Sequence, residues 1–249
     1  MSVAAHDGIA VFTLRLADDC LVLSHRLAQW SSRAPTLEED VALTNIALDL
    51  LGQGRSLYAL AAGLDGSGRS EDEYAYGRDE RQFLNCQLVE QENGDFAQTV
   101  ARQLLYSTFQ QHLWSALEAS RDETLAAIAA KALTEVRYHV DHATRWTLRL
   151  GDGTVESHER MQAALERLWP YTAELFEDDD VVANGGVEPR LLRAAWEADI
   201  DAVLTEATLQ RPEPAWAPSG GRRGIHTESF GYMLAEMQHL HRCHPGATW

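Results

Sequence analysis

The sequence has few cysteines and no segment suited to a membrane. Its three cysteines, Cys20, Cys86 and Cys243, are far apart and form no CxxC pair, which excludes a zinc knuckle or a disulfide framework. Residues 1–9 carry neither a basic start nor an apolar run, so no signal peptide is expected. No apolar stretch is long enough to span a bilayer. These absences predict a cytoplasmic protein.

Basic residues are also scarce. The chain has 21 Lys and Arg against 38 Asp and Glu, which gives a net charge of −17. A surface this acidic argues against nucleic acid and against anionic membranes as partners. The simplest role of the charge is solubility; an acidic docking face is the alternative. With 249 residues, 45% of them hydrophobic, the chain can bury a substantial core as one large or two small domains.

Strand alternation is nearly absent, and the apolar residues recur with helical spacing. Helix starts are indicated by capping boxes, in which Thr36 pairs with Glu39 and Ser120 with Glu123. Asp95 is expected to cap the third long helix. The sequence predicts helices at about 12–32, 36–62, 96–119, 120–150, 154–176, 189–209 and 227–243.

Four long helices joined by mostly short loops are typical of an antiparallel bundle. The irregular segment 63–94 is expected to be the crossover of a ferritin-like fold; a simple up-down bundle with a decorated loop is the alternative. The predicted fold is therefore all-α. It is one ferritin-like domain over 1–249, with a core bundle at 12–178 and added C-terminal helices at 189–209 and 227–243.

A ferritin-like dimetal site needs one Glu from each of two helices and a Glu-x-x-His pair from each of the other two. Helix two offers Asp49, but Gly52 stands three residues later and has no side chain to bind metal. Helix four offers Glu135, followed by Tyr138, with His139 one position late. That shift rotates the imidazole by about 100° from the required direction. Both half-motifs are therefore incomplete.

The first and third helices lack the carboxylates that complete such a site. No Asp or Glu occurs in 21–36 or in 96–117. Near the C-terminus, His239, His241 and His244 have few acids near them, which disfavours a metal site there. We therefore predict no catalytic, cofactor-binding or metal-binding residues. Vestigial or alternative metal ligands would be Asp49, Glu135, His139 and His142.

The polar stripes of helices two and four are predicted to face each other inside the bundle. Because buried carboxylates are costly unless paired, an internal cation should neutralise them. Arg102 is the first candidate and Arg55 the second. In the simplest interpretation, Asp49 is a buried, hydrogen-bonded acid and the histidines, His139 and His142, are ordinary helix-face residues.

Several motifs resemble the C subunit of the ring-epoxidising phenylacetyl-CoA monooxygenases, and the similarity extends over nearly the whole chain. They are LEEDVALTNIALDLLGQ at 37–53, NGDFA at 93–97, EVRYH at 135–139, LGDG at 150–153, HTE at 226–228 and LAEMQ at 234–238.

The resemblance implies a ferritin-like fold and a homologous A subunit, which carries the di-iron site and epoxidises phenylacetyl-CoA with O2. It also implies a small B subunit and a reductase with flavin, an iron–sulfur centre and NADPH. In such a hetero-oligomer the C subunit is structural, stabilises the A subunit and holds no cofactor itself. Its first two helices are the expected contact with the A subunit.

Three functions remain open at this point. The first is a non-catalytic subunit of a multicomponent monooxygenase. The second is an active di-iron or dimanganese enzyme with atypical ligands, and the third is a ferritin-like scaffold protein outside any oxygenase. The missing carboxylates favour the first or the third, and the family motifs favour the first over the third.

Overall fold

The computed structural model describes residues 3–181 and 187–247, and within these ranges the chain is helical and contains no strand. The all-α prediction is thus confirmed. The helices are α1 (Val3–Ala28), α2 (Leu37–Asp65), α3 (Glu71–Tyr76), α4 (Phe96–Leu117), α5 (Glu123–Gly151), α6 (Val155–Leu168), α7 (Pro189–Glu206) and α8 (Glu228–Cys243). Short 3-10 helices occupy Glu80–Gln82, Trp169–Phe176 and Gly221–Arg223.

The four long helices form the bundle. α1 packs along α2, α4 packs along α5, and the two pairs meet where α2 contacts α5. The long connection 66–95 joins the second helix of one pair to the first helix of the other, as a ferritin-like crossover does. α6 and α7 cover α4 and α5, whereas α8 packs on α3 and on the 3-10 helix Glu80–Gln82.

α4 is the central helix of the molecule, and residues 97–110 are all buried. A helix enclosed on every side is normally apolar all round. This one also carries polar groups inward, among them Arg102 and Gln110, and these need partners because an unpaired buried polar group is costly. The Trp196 indole on α7 closes one side of α4 by donating to the Leu105 carbonyl at 2.9 Å.

Several helix ends follow the predicted capping chemistry. Asp95 accepts a hydrogen bond from the Gln98 amide at 2.9 Å and starts α4. Thr36 caps α2 by accepting from the Glu39 amide at 3.3 Å. The predicted capping box at Thr36 is nevertheless wrong. The Glu39 carboxylate does not turn back to the cap, because it lies 2.8 Å from the imidazole of His142 on α5.

Other boundaries differ from the predictions. Asp122, and not Ser120, caps α5, because its carboxylate accepts from the Leu125 amide at 2.8 Å. The fifth predicted helix is two elements, since α6 ends at Leu168 and a 3-10 helix with Pro170 in its first turn continues to Phe176. Of the connection between the helices predicted at 154–176 and 189–209, residues 182–186 lie outside the described part of the chain.

Candidate functional site

The structure brings together the polar stripes of α2 and α5. Asp49 Oδ2 lies 3.1 Å from Nε2 of His139, and Gln53 Nε2 donates to Glu135 Oε2 at 2.9 Å. Asp49 and Gln53 are one turn apart on α2, and Glu135 and His139 are one turn apart on α5. The two contacts therefore lie one turn apart along a pair of antiparallel helices. We call this line of contacts the α2–α5 seam.

The seam lies nearer the surface than the sequence suggested. The Asp49 side chain is 34% exposed, so its interpretation as a buried acid is wrong. Asn45 and Ser56 on the same stripe are exposed, and a Cβ added at Gly52 would meet nothing within 4 Å. Helical spacing shows which residues share a face, but it does not show how deep that face lies.

The two histidines of α5 link the helices through one ring nitrogen each. His142 Nε2 lies 2.8 Å from Glu39 Oε2, and His139 Nε2 contacts Asp49. The Nδ1 atom of each ring is buried and has no hydrogen-bond partner in the described part of the chain. The Tyr138 side chain is 48% exposed, and its ring centroid lies 6.5 Å from that of His139 and 6.2 Å from that of His142. Each imidazole thus pairs with one carboxylate across the seam.

The interior beside the seam is lined by neutral groups. Gln110 Nε2 lies 4.0 Å from Cys20 Sγ, and that sulfur lies 3.7 Å from Gln53 Oε1. Burial raises the pKa of the Cys20 thiol well above its usual value, so the sulfur stays protonated. A neutral thiol and two amides are poor ligands for iron, and Glu135 is the one carboxylate in this chain of contacts.

The two arginines predicted to neutralise the stripes have other partners. Arg102 donates to the Gln91 carbonyl and, at 2.6 Å, to Asn93 Oδ1, so it holds the end of the crossover. Burial lowers the pKa of Arg102 to about 9. Arg55 is exposed and pairs with Glu71 at 2.6 Å. The internal-cation hypothesis therefore does not describe these contacts, because both guanidinium groups turn away from the seam.

A buried acid that the sequence analysis missed lies just before the acid-free stretch of α1. The Asp18 carboxylate is fully buried and forms an ion pair with Arg78 from the crossover. It also accepts from the Tyr58 hydroxyl at 2.6 Å and from the Leu84 amide at 2.8 Å. Asp18 thereby fastens the crossover to the bundle.

Asp19 repeats this arrangement with the C-terminal part of the chain. It pairs with Arg222 at 2.8 Å and accepts from the Cys86 amide at 2.7 Å. Burial raises the pKa of Asp19, and Arg222 opposes that shift without cancelling it. Nearby, the buried Glu174 accepts from the Gly220 amide at 2.8 Å. The sequence signal for these sites was the pair of adjacent aspartates, Asp18 and Asp19, in an otherwise apolar helix. Their arginine partners could not be predicted from the sequence.

These side chains do not fit a dimetal centre. Such a centre needs four carboxylates to neutralise two buried irons, and α4 has no acid over 96–117. Asp18 and Asp19 of α1 are already paired with arginines. Across the described ranges, no three His, Cys, Asp or Glu side chains are grouped so that they could hold a metal ion. The arrangement can cross-link helices and loops.

Comparison with known proteins gives the family. The family described as "Phenylacetic acid catabolic protein" matches residues 1–249. This chain belongs to that family. It is 51% identical over 246 residues to the C subunit of the 1,2-phenylacetyl-CoA epoxidase of Escherichia coli (strain K12), an alignment that covers 97% of this chain and 99% of the relative. The similarity inferred from the motifs is confirmed, and it supports a role in phenylacetate catabolism.

In the part of the chain that the structure describes, no helix has both the length and the apolar character that crossing a membrane requires.

Proposed function

We propose that this chain is the non-catalytic structural subunit of a phenylacetyl-CoA epoxidase and that it stabilises a homologous di-iron A subunit. The observation that carries the proposal is the set of contacts inside the bundle. They join a thiol, two amides and one carboxylate, whereas a dimetal centre needs four carboxylates. The relative that matches nearly end to end is named as one subunit of an epoxidase, which supports an assembly.

The proposal includes the remaining parts of that assembly. A small B subunit and a reductase complete the hetero-oligomer, and flavin, iron–sulfur centre and NADPH belong to the reductase. Within this chain we propose one ferritin-like domain over 1–249, acting in the cytoplasm without nucleic acid or membrane. Its contribution is a stable surface against which the catalytic bundle folds.

The outer face of α2 is suited to a partner. Leu37, Val41 and Leu48 are 75%, 54% and 58% exposed, and their spacing puts them on the side of the helix opposite the core. Between Val41 and Gly54, Asp49 is the one charged residue. An exposed apolar stripe with so little charge is unusual on an acidic soluble protein and marks an interaction surface.

α1 contributes little to such a surface. Residues 12–27 are buried except for the half-buried Leu14 and His25, because the crossover and the C-terminal segments cover the helix. We therefore narrow the expected contact from the first two helices to α2. A helix of 29 residues provides a face about 43 Å long, enough for a subunit interface.

The experiment is a binding assay with the homologous A-type subunit. Val41→Arg combined with Leu48→Arg should raise the Kd at least about tenfold, because two charges would be desolvated at the contact, while the melting temperature of the chain stays unchanged. Leu191→Arg is the matched control, since Leu191 is equally exposed at 68% but lies on α7. Wild-type chain that fails to bind the A subunit, or an α2 variant that binds normally, would contradict the proposal.

A further inference from the structure

A fully buried ion pair lies at the start of the last helix. His226 Nδ1 is 2.7 Å from Glu90 Oε2, and His226 Nε2 is 2.9 Å from the Phe83 carbonyl oxygen. Neither side chain of the pair is exposed. A carbonyl oxygen can only accept a hydrogen bond, so Nε2 carries a hydrogen.

The other contacts of Glu90 indicate whether His226 Nδ1 carries a hydrogen. Its Oε1 accepts from the Thr227 amide at 2.6 Å, and its Oε2 also accepts from Asn85 Nδ2 at 2.9 Å. Donors at both oxygens favour the ionised carboxylate. The Nδ1 atom that faces this carboxylate therefore carries a hydrogen as well, and His226 is an imidazolium.

This pair holds three parts of the chain together. Glu90 belongs to the crossover, His226 leads into α8, and Arg26 of α1 donates to both the Glu90 carbonyl at 2.6 Å and the Ser229 carbonyl at 3.0 Å. The Phe230 ring packs against the imidazole with centroids 4.4 Å apart. The first turn of α8 is thus attached to the bundle around one imidazolium.

We propose that the proton shared by His226 and Glu90 is a latch for the C-terminal helix, and that α8 opens locally when the proton is lost. Whichever nitrogen releases its hydrogen, its lone pair then faces an oxygen acceptor at 2.7 or 2.9 Å. Two acceptors at that distance repel, and the site is too buried for water to separate them without movement. This inference does not depend on the proposed function.

The charges around His226 determine how the attachment of α8 depends on pH. Burial lowers the pKa of His226, but the hydrogen bond to Glu90 and the charge of that carboxylate outweigh burial and raise it. Glu80 adds to the rise, and the ionisable groups of Arg26 and Tyr171 also lie near Glu90. The stabilisation is therefore complete below the unfolded pKa of about 6.5 and is lost as pH rises through the higher folded pKa.

The first test observes the imidazole directly in the wild-type chain. Nitrogen NMR of 15N-histidine-labelled protein should show one ring with both nitrogens protonated at about pH 8, where an unperturbed imidazole is neutral. The His226→Gln variant should lack that signal and so assign it. Absence of any doubly protonated ring from the wild-type spectrum at this pH would overturn the proposal, and that result does not require any variant to fold.

The second test measures opening of α8 by amide hydrogen exchange from about pH 6 to about pH 10, corrected for the intrinsic rate. Protection of α8 should fall at least about tenfold more than that of α5, because the loss of one charge-assisted hydrogen bond has an effect of that order. His226→Gln should abolish the difference. His112→Gln, which alters the exposed His112–Asp199 pair, should leave it intact. Equal behaviour of α8 and α5 in the wild type would overturn the latch.

Discussion

Two regions of this bundle hold carboxylates in different ways. On the α2–α5 seam, Asp49 is 34% exposed and pairs with the imidazole of His139. Asp18 and Asp19 of α1 are fully buried and pair with arginines that lie outside the four long helices. The buried acids Asp18 and Asp19 thus fasten the long connections of the chain to the bundle.

The difference has energetic consequences. A partly exposed pair is screened by water and contributes little to stability, whereas removing one partner of a buried pair leaves a charge that cannot be solvated. The buried ion pairs of Asp18 and Asp19 should therefore contribute more to the free energy of unfolding than the Asp49 pair of the seam. Substitution of Asp49 should cost less stability.

The largest effect is expected for Arg78→Met, which leaves Asp18 buried without its cation. We expect a loss of about 3–5 kcal/mol in the free energy of unfolding, measured by urea denaturation. Arg55→Met is the control, because the Arg55 side chain is 64% exposed in its pair with Glu71 and its loss should have little effect on stability. Similar costs for the two variants would contradict the comparison.

Arg102→Met should have an intermediate effect. The substitution removes the donors to the Gln91 carbonyl and to Asn93, and it also removes a buried cation that burial disfavours. We expect a loss of about 1–3 kcal/mol, the cost of leaving buried acceptors unsatisfied. Urea denaturation beside Arg78→Met provides the measurement. A loss larger than that of Arg78→Met would restore Arg102 as a principal internal cation.

Asp49→Ala should cost about 1 kcal/mol, since it removes one hydrogen bond in a partly exposed seam. The matched variant is Asp18→Ala, which strips a buried arginine of its carboxylate and should cost several times more. Thermal unfolding of both variants under the same conditions measures the two losses of stability. If the two aspartates proved equivalent, burial would not be the property that separates the two regions.

Glu135→Gln should have almost no effect on activity if the proposed function holds. The amide retains an oxygen that can accept from Gln53 Nε2, so the contact between the helices survives. The epoxidation rate of the assembled complex, measured with phenylacetyl-CoA, should stay within about twofold of wild type. A loss of about a hundredfold in kcat would instead assign Glu135 to a reacting centre.

The helices and the seam were accessible from the sequence because both depend on local spacing. Capping by Asp95 and Thr36 involves neighbouring residues, and Asp49 faces His139 because each lies on the polar stripe of its helix. Spacing alone could not show how far each side chain lies from the protein surface. The seam therefore proved more exposed than predicted.

The ion pairs of α1 were not predictable because their partners are distant in the chain. Asp18 is 60 residues from Arg78 and Asp19 is 203 residues from Arg222, so each pair depends on the path of a long connection. Arg102 illustrates the same limit. Its long side chain can reach either side of a buried helix. The Gln91 carbonyl and the Asn93 side chain of the crossover, not the seam carboxylates, bind it.

Iron binding is the decisive measurement of whether the bundle interior can act as a metal centre. The purified chain would be incubated anaerobically with excess Fe(II), desalted and assayed for iron by mass spectrometry, with the A-type subunit as the positive control. Because the bundle interior provides one carboxylate beside neutral amides and a thiol, we expect far less than one iron per chain. Two tightly held irons per chain would contradict the proposed structural role.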